Sequence, residues 1–166
     1  MSFEVRRVPP QATYPLRQQV LRPQQTVDQM RLPGDDRPDT GFLAAIDQTG
    51  TVIGTGSVRR EPCPWQPERQ DAWRLRAMAT APGQRGNGVG GQVLAACLSH
   101  VEQQGGGLLW CSARITARAF YERGGFTAHG LEWDEPGIGL HVHMWCEVSG
   151  PADPAAEEHG PATRPG

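Results

Sequence analysis

Apolar positions along this chain change period several times, and each change marks an element. From Phe3 to Val8 (FEVRRV) apolar and polar residues alternate as in a strand, which Pro9-Pro10 ends. Tyr14 to Leu21 carries apolar residues at helical spacing, and Pro23 stops it because proline cannot continue a helix. Pro23 to Thr40 is polar, holds Gly34-Asp35-Asp36 and Pro38, and reads as surface loop with at most a short helix. Gly41 to Asp47 (GFLAAID), the turn Gln48-Thr49-Gly50 and Thr51 to Arg60 read as an antiparallel hairpin. After a proline-bearing loop from Glu61 to Asp71, Trp73 to Thr80 (WRLRAMAT) alternates, with Trp73, Leu75, Ala77 and Ala79 on one face.

The period then shifts to that of a helix. Val89, Val93, Leu94, Cys97, Leu98 and Val101 form one apolar face, with Gln92, Ser99, His100, Glu102 and Gln103 opposite, and Gly105-Gly106-Gly107 closes the helix. Leu108 to Ser112 (LLWCS) is a continuous apolar run, as in a strand buried on both faces. A further helix spans about Thr116 to Arg123, and Phe126 to Trp133 with Leu140 to Val148 make a last strand pair joined by Asp134 to Gly139. Beyond Gly150 the chain is almost without apolar residues and is expected to be disordered. The elements therefore predict an α/β domain over residues 1–149, a mixed and mostly antiparallel sheet of six to seven strands with helices on both faces, and a tail over 150–166.

Between the strand ending at Thr80 and the helix beginning near Val89 lies the loop Gln84-Arg85-Gly86-Asn87-Gly88-Val89-Gly90-Gly91. A strand, a glycine turn and the first turn of a helix gather unpaired backbone N–H groups at the positive end of the helix dipole, which is an anion site. Gly86, Gly88 and Gly91 match the dinucleotide pattern G-x-G-x-x-G, but the context does not. In a dinucleotide site the first glycine follows the strand directly and an acid lies about 20 residues on. Here Ala81 to Arg85 intervene, and Cys111, Ser112 and Ala113 stand where the acid belongs.

Composition narrows the options further. The net charge of -2 over 166 residues gives no bulk attraction to nucleic acid. The chain has no lysine, which removes Schiff-base chemistry and the Walker-A lysine. Cys63, Cys97, Cys111 and Cys146 form no C-x-x-C pair, and three lie in apolar runs, so they read as structural thiols and no metal site is expected. No apolar stretch approaches membrane-spanning length and the start is polar, so a cytoplasmic protein without membrane partners is expected.

Read as R-x-x-G-x-G, the loop Arg85 to Gly90, preceded by Gln84, closely resembles the motif of the GNAT family, the acetyl-CoA-dependent N-acetyltransferases. The later A-x-x-F-Y-x-x-x-G-F at Ala117 to Phe126 resembles the same family, and PGIGLHVHMW near the end resembles a branch with a histidine before the last strand, matched by His141. The resemblance implies an acyl-CoA N-acyltransferase fold and acetyl transfer from acetyl-CoA to an amine by direct attack in a ternary complex. It also implies that Gln84, Arg85, Gly86, Asn87, Gly88, Val89 and Gly90 hold the pyrophosphate. Asn87 would cap the following helix. Met78, Ala79 and Thr80 would pair with the pantetheine arm as a strand edge pairs with a peptide. Ala117 and Phe120 would complete the cosubstrate site, while Arg114 would either meet a phosphate or stay solvated.

Tyr121 is the implied acid, because a phenol with a pKa near 10 is protonated at neutral pH and can protonate a departing thiolate. His141 leads the candidates for the base, ahead of His143, Glu132 and Asp134, and a water chain would serve in its place. The acceptor is a small-molecule or peptide amine, and the loops Pro23 to Thr40 and Glu61 to Asp71 are expected to line its side. A homodimer through the last strands is compatible with the sequence. The alternative reading is a non-catalytic acyl-CoA-binding or sensing module.

Overall fold

The computed structural model describes residues 2–151; the tail expected from residue 150 onward thus lies almost wholly outside the described residues. Seven strands form one sheet: β1 (Phe3–Arg7), β2 (Gly41–Asp47), β3 (Val52–Arg60), β4 (Ala72–Thr80), β5 (Gly107–Arg114), β6 (Thr127–Glu135) and β7 (Gly139–Val148). Their order is β1-β2-β3-β4-β5-β7-β6. Every neighbouring pair is antiparallel except β4 and β5. The helix α2 (Val89–Gln103) crosses over between those two strands, which is why they run parallel. The mixed sheet, mostly antiparallel, agrees with the sequence expectation.

Helices lie on both faces. On one face α2 packs its apolar stripe, Val89, Val93, Leu94, Cys97 and Val101, against Leu43, Val58, Trp73, Leu75, Leu109 and Cys111. The short helix α3 (Arg118–Arg123) lies on the same face, with Tyr121 in that core. Two β3 glycines let α2 come close. A Cβ on Gly54 would stand 2.5 Å from Val89 Cγ1, and one on Gly56 would stand 2.9 Å from Cys97 Sγ. On the other face lies α1 (Tyr14–Leu21), held by the segment that follows it. Asp35 accepts hydrogen bonds from Tyr14 Oη (2.6 Å) and the Leu32 N–H (3.0 Å), and pairs with Arg59. Burial opposes ionisation of Asp35, but these donors outweigh it and hold its pKa below the usual range.

Two expectations are corrected here. His100, placed on the polar face of α2 by its sequence position, is buried: its Nε2 pairs with Asp39 O at 2.8 Å and its ring meets Trp73 edge-on. The loop before β2 folds over that part of the helix and supplies a polar partner that helical periodicity cannot reveal. The alternation predicted along β4 also breaks. Ser57 pairs with Arg76 and Thr55 with Ala79, so Ala77 and Met78 together oppose Gly56 in a β-bulge. Ala77 adopts φ 59°, a left-handed conformation that costs an alanine roughly 1 kcal/mol or more. Thr55 Oγ1 holds it by donating to Ala77 O at 2.9 Å. Past the bulge it is Met78, not Ala77, that joins the core beneath α2.

Candidate active site

The site begins where the sheet comes apart. β4 and β5 pair only through Ala72, Trp73 and Arg74 opposite Leu108, Leu109 and Trp110, so from Leu75 onward the β5-facing edge of β4 has no strand partner. The bulge at Ala77-Met78 lies on this separated part and turns β4 away. Backbone groups on an unpartnered strand edge can hydrogen-bond an extended amide chain. Two hollows abut along this split. Met78 lines one and Thr80 the other; likewise Tyr121 lines the first and its neighbour Phe120 the second.

The second hollow, about 540 Å³, is the glycine-loop site. Gln84, Arg85, Gly86, Gly88, Val89 and Gly90 line it together with Thr80 and Phe120. Gly86 and Gly88 take φ of 87° and 80°, where a side chain would be strained. The Gln84 N–H donates to Ala81 O, and the next backbone N–H with a backbone acceptor is that of Gln92, which donates to Gly88 O at 3.1 Å. The N–H groups from Arg85 to Gly91 are therefore available to an anion at the start of α2. Asn87 is not the cap: the N-cap is Gly88, and the Asn87 side chain donates instead to Gln84 Oε1 at 3.4 Å. Arg123, which sequence reasoning passed over, joins Arg85 at this hollow, and neither has an ion-pair partner among the described residues. Its position at i+3 from Phe120 on one helix was the available signal.

The first hollow, about 570 Å³, passes between the parted strands and is walled from both faces of the sheet. Tyr121 enters it from the α2 face, where Cys111 and Ala113 are its core neighbours. Burial pushes the Tyr121 phenol far above its ordinary pKa, with the nearby Cys111 and Cys97 thiols adding to the shift. It therefore stays protonated throughout the neutral and mildly alkaline range and can give a proton rather than take one. His141 enters from the opposite face, beside Arg114 in the β5–β7 register. It is buried, stacks on Trp133 with centroids 5.7 Å apart, and holds Gly139 O at 2.9 Å through Nδ1. A carbonyl only accepts, so Nδ1 carries the proton and Nε2 of the neutral ring keeps a lone pair.

Met78, Ala117 and Arg114 line this first hollow rather than the glycine-loop one, and Ala79 and Asn87 line neither. Arg114 sits on the α1 face of β5 and donates from Nη2 to Leu21 O at 3.3 Å. Of the other base candidates, His143 is wedged among Trp65, Trp110 and Trp133 outside the hollow, and burial, then Arg74 and His129, lowers its pKa. Glu132 and Asp134 are exposed and line neither hollow; Glu135 lines the first instead. The segment 23–40 does wall the first hollow through Gln25, Gln29, Met30 and Leu32. The Glu61–Asp71 loop does not. Its Trp65 packs on His129, and its Arg69 pairs with Asp71 and Glu147, which ties the loop to the far end of β7.

All four cysteines are free thiols, and among the described residues no His/Cys/Asp/Glu cluster has metal-ligand geometry. No helix of the described residues is long and apolar enough to cross a membrane.

The acetyltransferase (GNAT) domain family matches residues 16–148. The N-acetyltransferase YitI of Bacillus subtilis (strain 168), itself uncharacterized, is 30% identical over 143 residues, which is 86% of this chain and 95% of that protein. A phosphinothricin acetyltransferase from Sinorhizobium meliloti, solved in complex with AcCoA, superposes with a TM-score of 0.71 at 17% identity, covering 100% of this chain and 94% of that one. The ribosomal-protein-S18-alanine N-acetyltransferase from Escherichia coli gives 0.70 at 16% identity, over 92% and 98% of the two chains. A parted mixed sheet with an N–H-lined glycine loop at the split, a family match across most of the chain and a relative aligned over nearly its whole length together assign it: the chain is an acyltransferase of the GNAT family.

Proposed function

We propose that this enzyme moves the acetyl group of acetyl-CoA to the amine of an acceptor by direct attack, with both substrates bound at once on opposite sides of the β4–β5 split. The observation that carries the reading is the pairing of the two hollows: one offers backbone N–H groups and two arginines for a pyrophosphate, the other brings Tyr121 and His141 to one space from opposite faces of the sheet. The S. meliloti structure with AcCoA supports the same cosubstrate here. The unpaired edge of β4 would receive the pantetheine amides through Met78, Ala79 and Thr80, which would deliver the thioester to the split.

The neutral amine attacks the thioester carbonyl, forming a C–N bond as the carbonyl becomes an oxyanion. A β4 backbone N–H near the bulge would stabilise that charge; the left-handed Ala77 redirects the backbone there without needing a side chain. Collapse breaks the C–S bond, the Tyr121 phenol protonates the sulfur, and His141 Nε2 takes the proton lost by the nitrogen. Tyr121 holds its proton before reaction, as any phenol does at neutral pH; burial raises its pKa and so weakens it as an acid, and the proton moves to sulfur only as the C–S bond breaks and negative charge gathers there.

Release of CoA thiol, followed with a thiol reagent across a panel of amines, tests this reading. Wild-type protein should release CoA only when amine is present, and Tyr121→Phe should retain acetyl-CoA binding while losing turnover. Acetyl-CoA binding with no turnover of any amine would favour the sensing module instead.

A further inference from the structure

The first hollow holds more positive charge than the fold uses. Arg17, on α1, is only 7% exposed and lines the hollow, yet its Nη1 is buried without a hydrogen-bond partner. Buried guanidinium donors left idle carry a desolvation cost that a structure normally relieves with a carboxylate or a carbonyl. The nearby carboxylate is already engaged: Asp35 serves Arg59, Tyr14 and the Leu32 N–H. Arg22, Arg76 and Arg114 line the same hollow, and none of the four has a salt bridge among the described residues. Arg22 and Arg114 instead converge on one carbonyl, Leu21 O, at 2.8 and 3.3 Å. Glu135, an exposed residue of β6, is the one carboxylate among the lining residues.

Resting on the acetyl-transfer reading, we propose that the acceptor is a small amine that carries a carboxylate on the same scaffold, an amino-acid-like molecule, with Arg17 and Arg76 as its carboxylate clamp. The planar guanidinium fork matches a carboxylate with two parallel hydrogen bonds, which an amide or hydroxyl cannot reproduce. A hollow of about 570 Å³ has room for a molecule of this size beside the thioester. Polyamines and other polycations would meet four arginines without a salt bridge and are selected against. The same field has a catalytic consequence, because it disfavours the ammonium form of a bound amine and supplies the neutral nucleophile that attack requires.

The test uses full-length protein with acetyl-CoA and two acceptors that differ by one carboxylate, L-leucine and isoamylamine, with L-glutamate and spermidine as extremes of charge. Binding of L-glutamate to the CoA-loaded protein is titrated in parallel. Carboxylated amines should turn over with kcat/KM at least about tenfold above their decarboxylated or cationic counterparts, the loss expected for one charge-assisted contact. Arg76→Gln, on a half-buried strand position, should raise the KM for the carboxylated amine about tenfold or more and leave the KM for acetyl-CoA unchanged. Arg17→Gln should do the same, and should weaken glutamate binding whether or not the protein turns over. Glutamate binding lost in these variants, with no acetyl transfer to any amine, would keep the carboxylate clamp and refute the transfer reading. Preference for spermidine or isoamylamine, untouched by either substitution, would overturn the clamp and leave transfer standing. Neither glutamate binding nor turnover of a carboxylated amine would overturn the proposal outright.

Discussion

The glycine-loop hollow and the hollow behind it differ in what they are made of. The glycine-loop hollow centres on one stretch of chain, Gln84 to Gly91, with Phe120 and Arg123 added from α3, and its anion site is backbone: N–H groups without acceptors, two left-handed glycines and a helix start. The hollow behind it is built from side chains that come from α1, β4, β5, α3 and the β6–β7 pair, far apart in sequence. Backbone recognition is indifferent to most substitutions and suits a cosubstrate common to a whole family. Side-chain recognition changes with every lining residue and suits an acceptor particular to this chain.

That contrast predicts which changes are uniform in effect and which are selective. The largest effect should come from Gly88→Glu, which strains a φ of 80° and sets a carboxylate against the bound phosphates. Losing three or more charge-assisted contacts lowers CoA affinity by at least about 2000-fold. Titration calorimetry reads the loss, which should be the same for CoA and acetyl-CoA. Tyr121→Phe should lower kcat on the order of 1000-fold with CoA affinity intact, a general-acid loss measured by thiol release. The wild-type rate should also show no decline from phenol ionisation as pH approaches about 10, because burial raises that pKa. His141→Gln should cost kcat roughly 100-fold, less than Tyr121→Phe, because water can relay the amine proton. Activity of that variant should recover toward high pH, where more of the amine is already neutral.

The smallest effect concerns the core beneath α2, where Cys97 and Cys111 are buried. Burial pushes the Cys97 and Cys111 thiols from 9.0 up to about 12. Above pH 9 the unfolded chain has shed thiol protons that the native state keeps, so the native state binds more protons and stability falls as pH rises. Below that the thiols contribute no pH dependence. Denaturant midpoints should therefore be level up to about pH 8 and lower at about pH 10, with a limiting slope of roughly 1.4 kcal/mol per pH unit for each buried thiol. Cys97→Ala should flatten that slope.

The same division between backbone and side chain governs what could be read before the fold was known. Val93, Cys97 and Val101 announce α2 because helical burial repeats along the sequence, and the glycine loop announces itself because its ligand groups are contiguous. The β4 bulge was hidden, since Ala77 reads as one more alternating residue and only the partner strand fixes its register. His100 was placed on the wrong face because its polar partner, Asp39 O, arrives from a loop. Arg17 and Arg76 gave no local signal. An arginine in a helix or strand reads as a solvated charge until the topology shows a hollow at its tip.

If the loop between β4 and α2 holds the pyrophosphate of acetyl-CoA, calorimetric titration of the purified protein with acetyl-CoA, CoA and NAD in parallel will show it. One-to-one binding of acetyl-CoA and CoA is expected, lost together in Gly88→Glu, with no heat from NAD. Binding of NAD, or acetyl-CoA binding that survives Gly88→Glu, would contradict it.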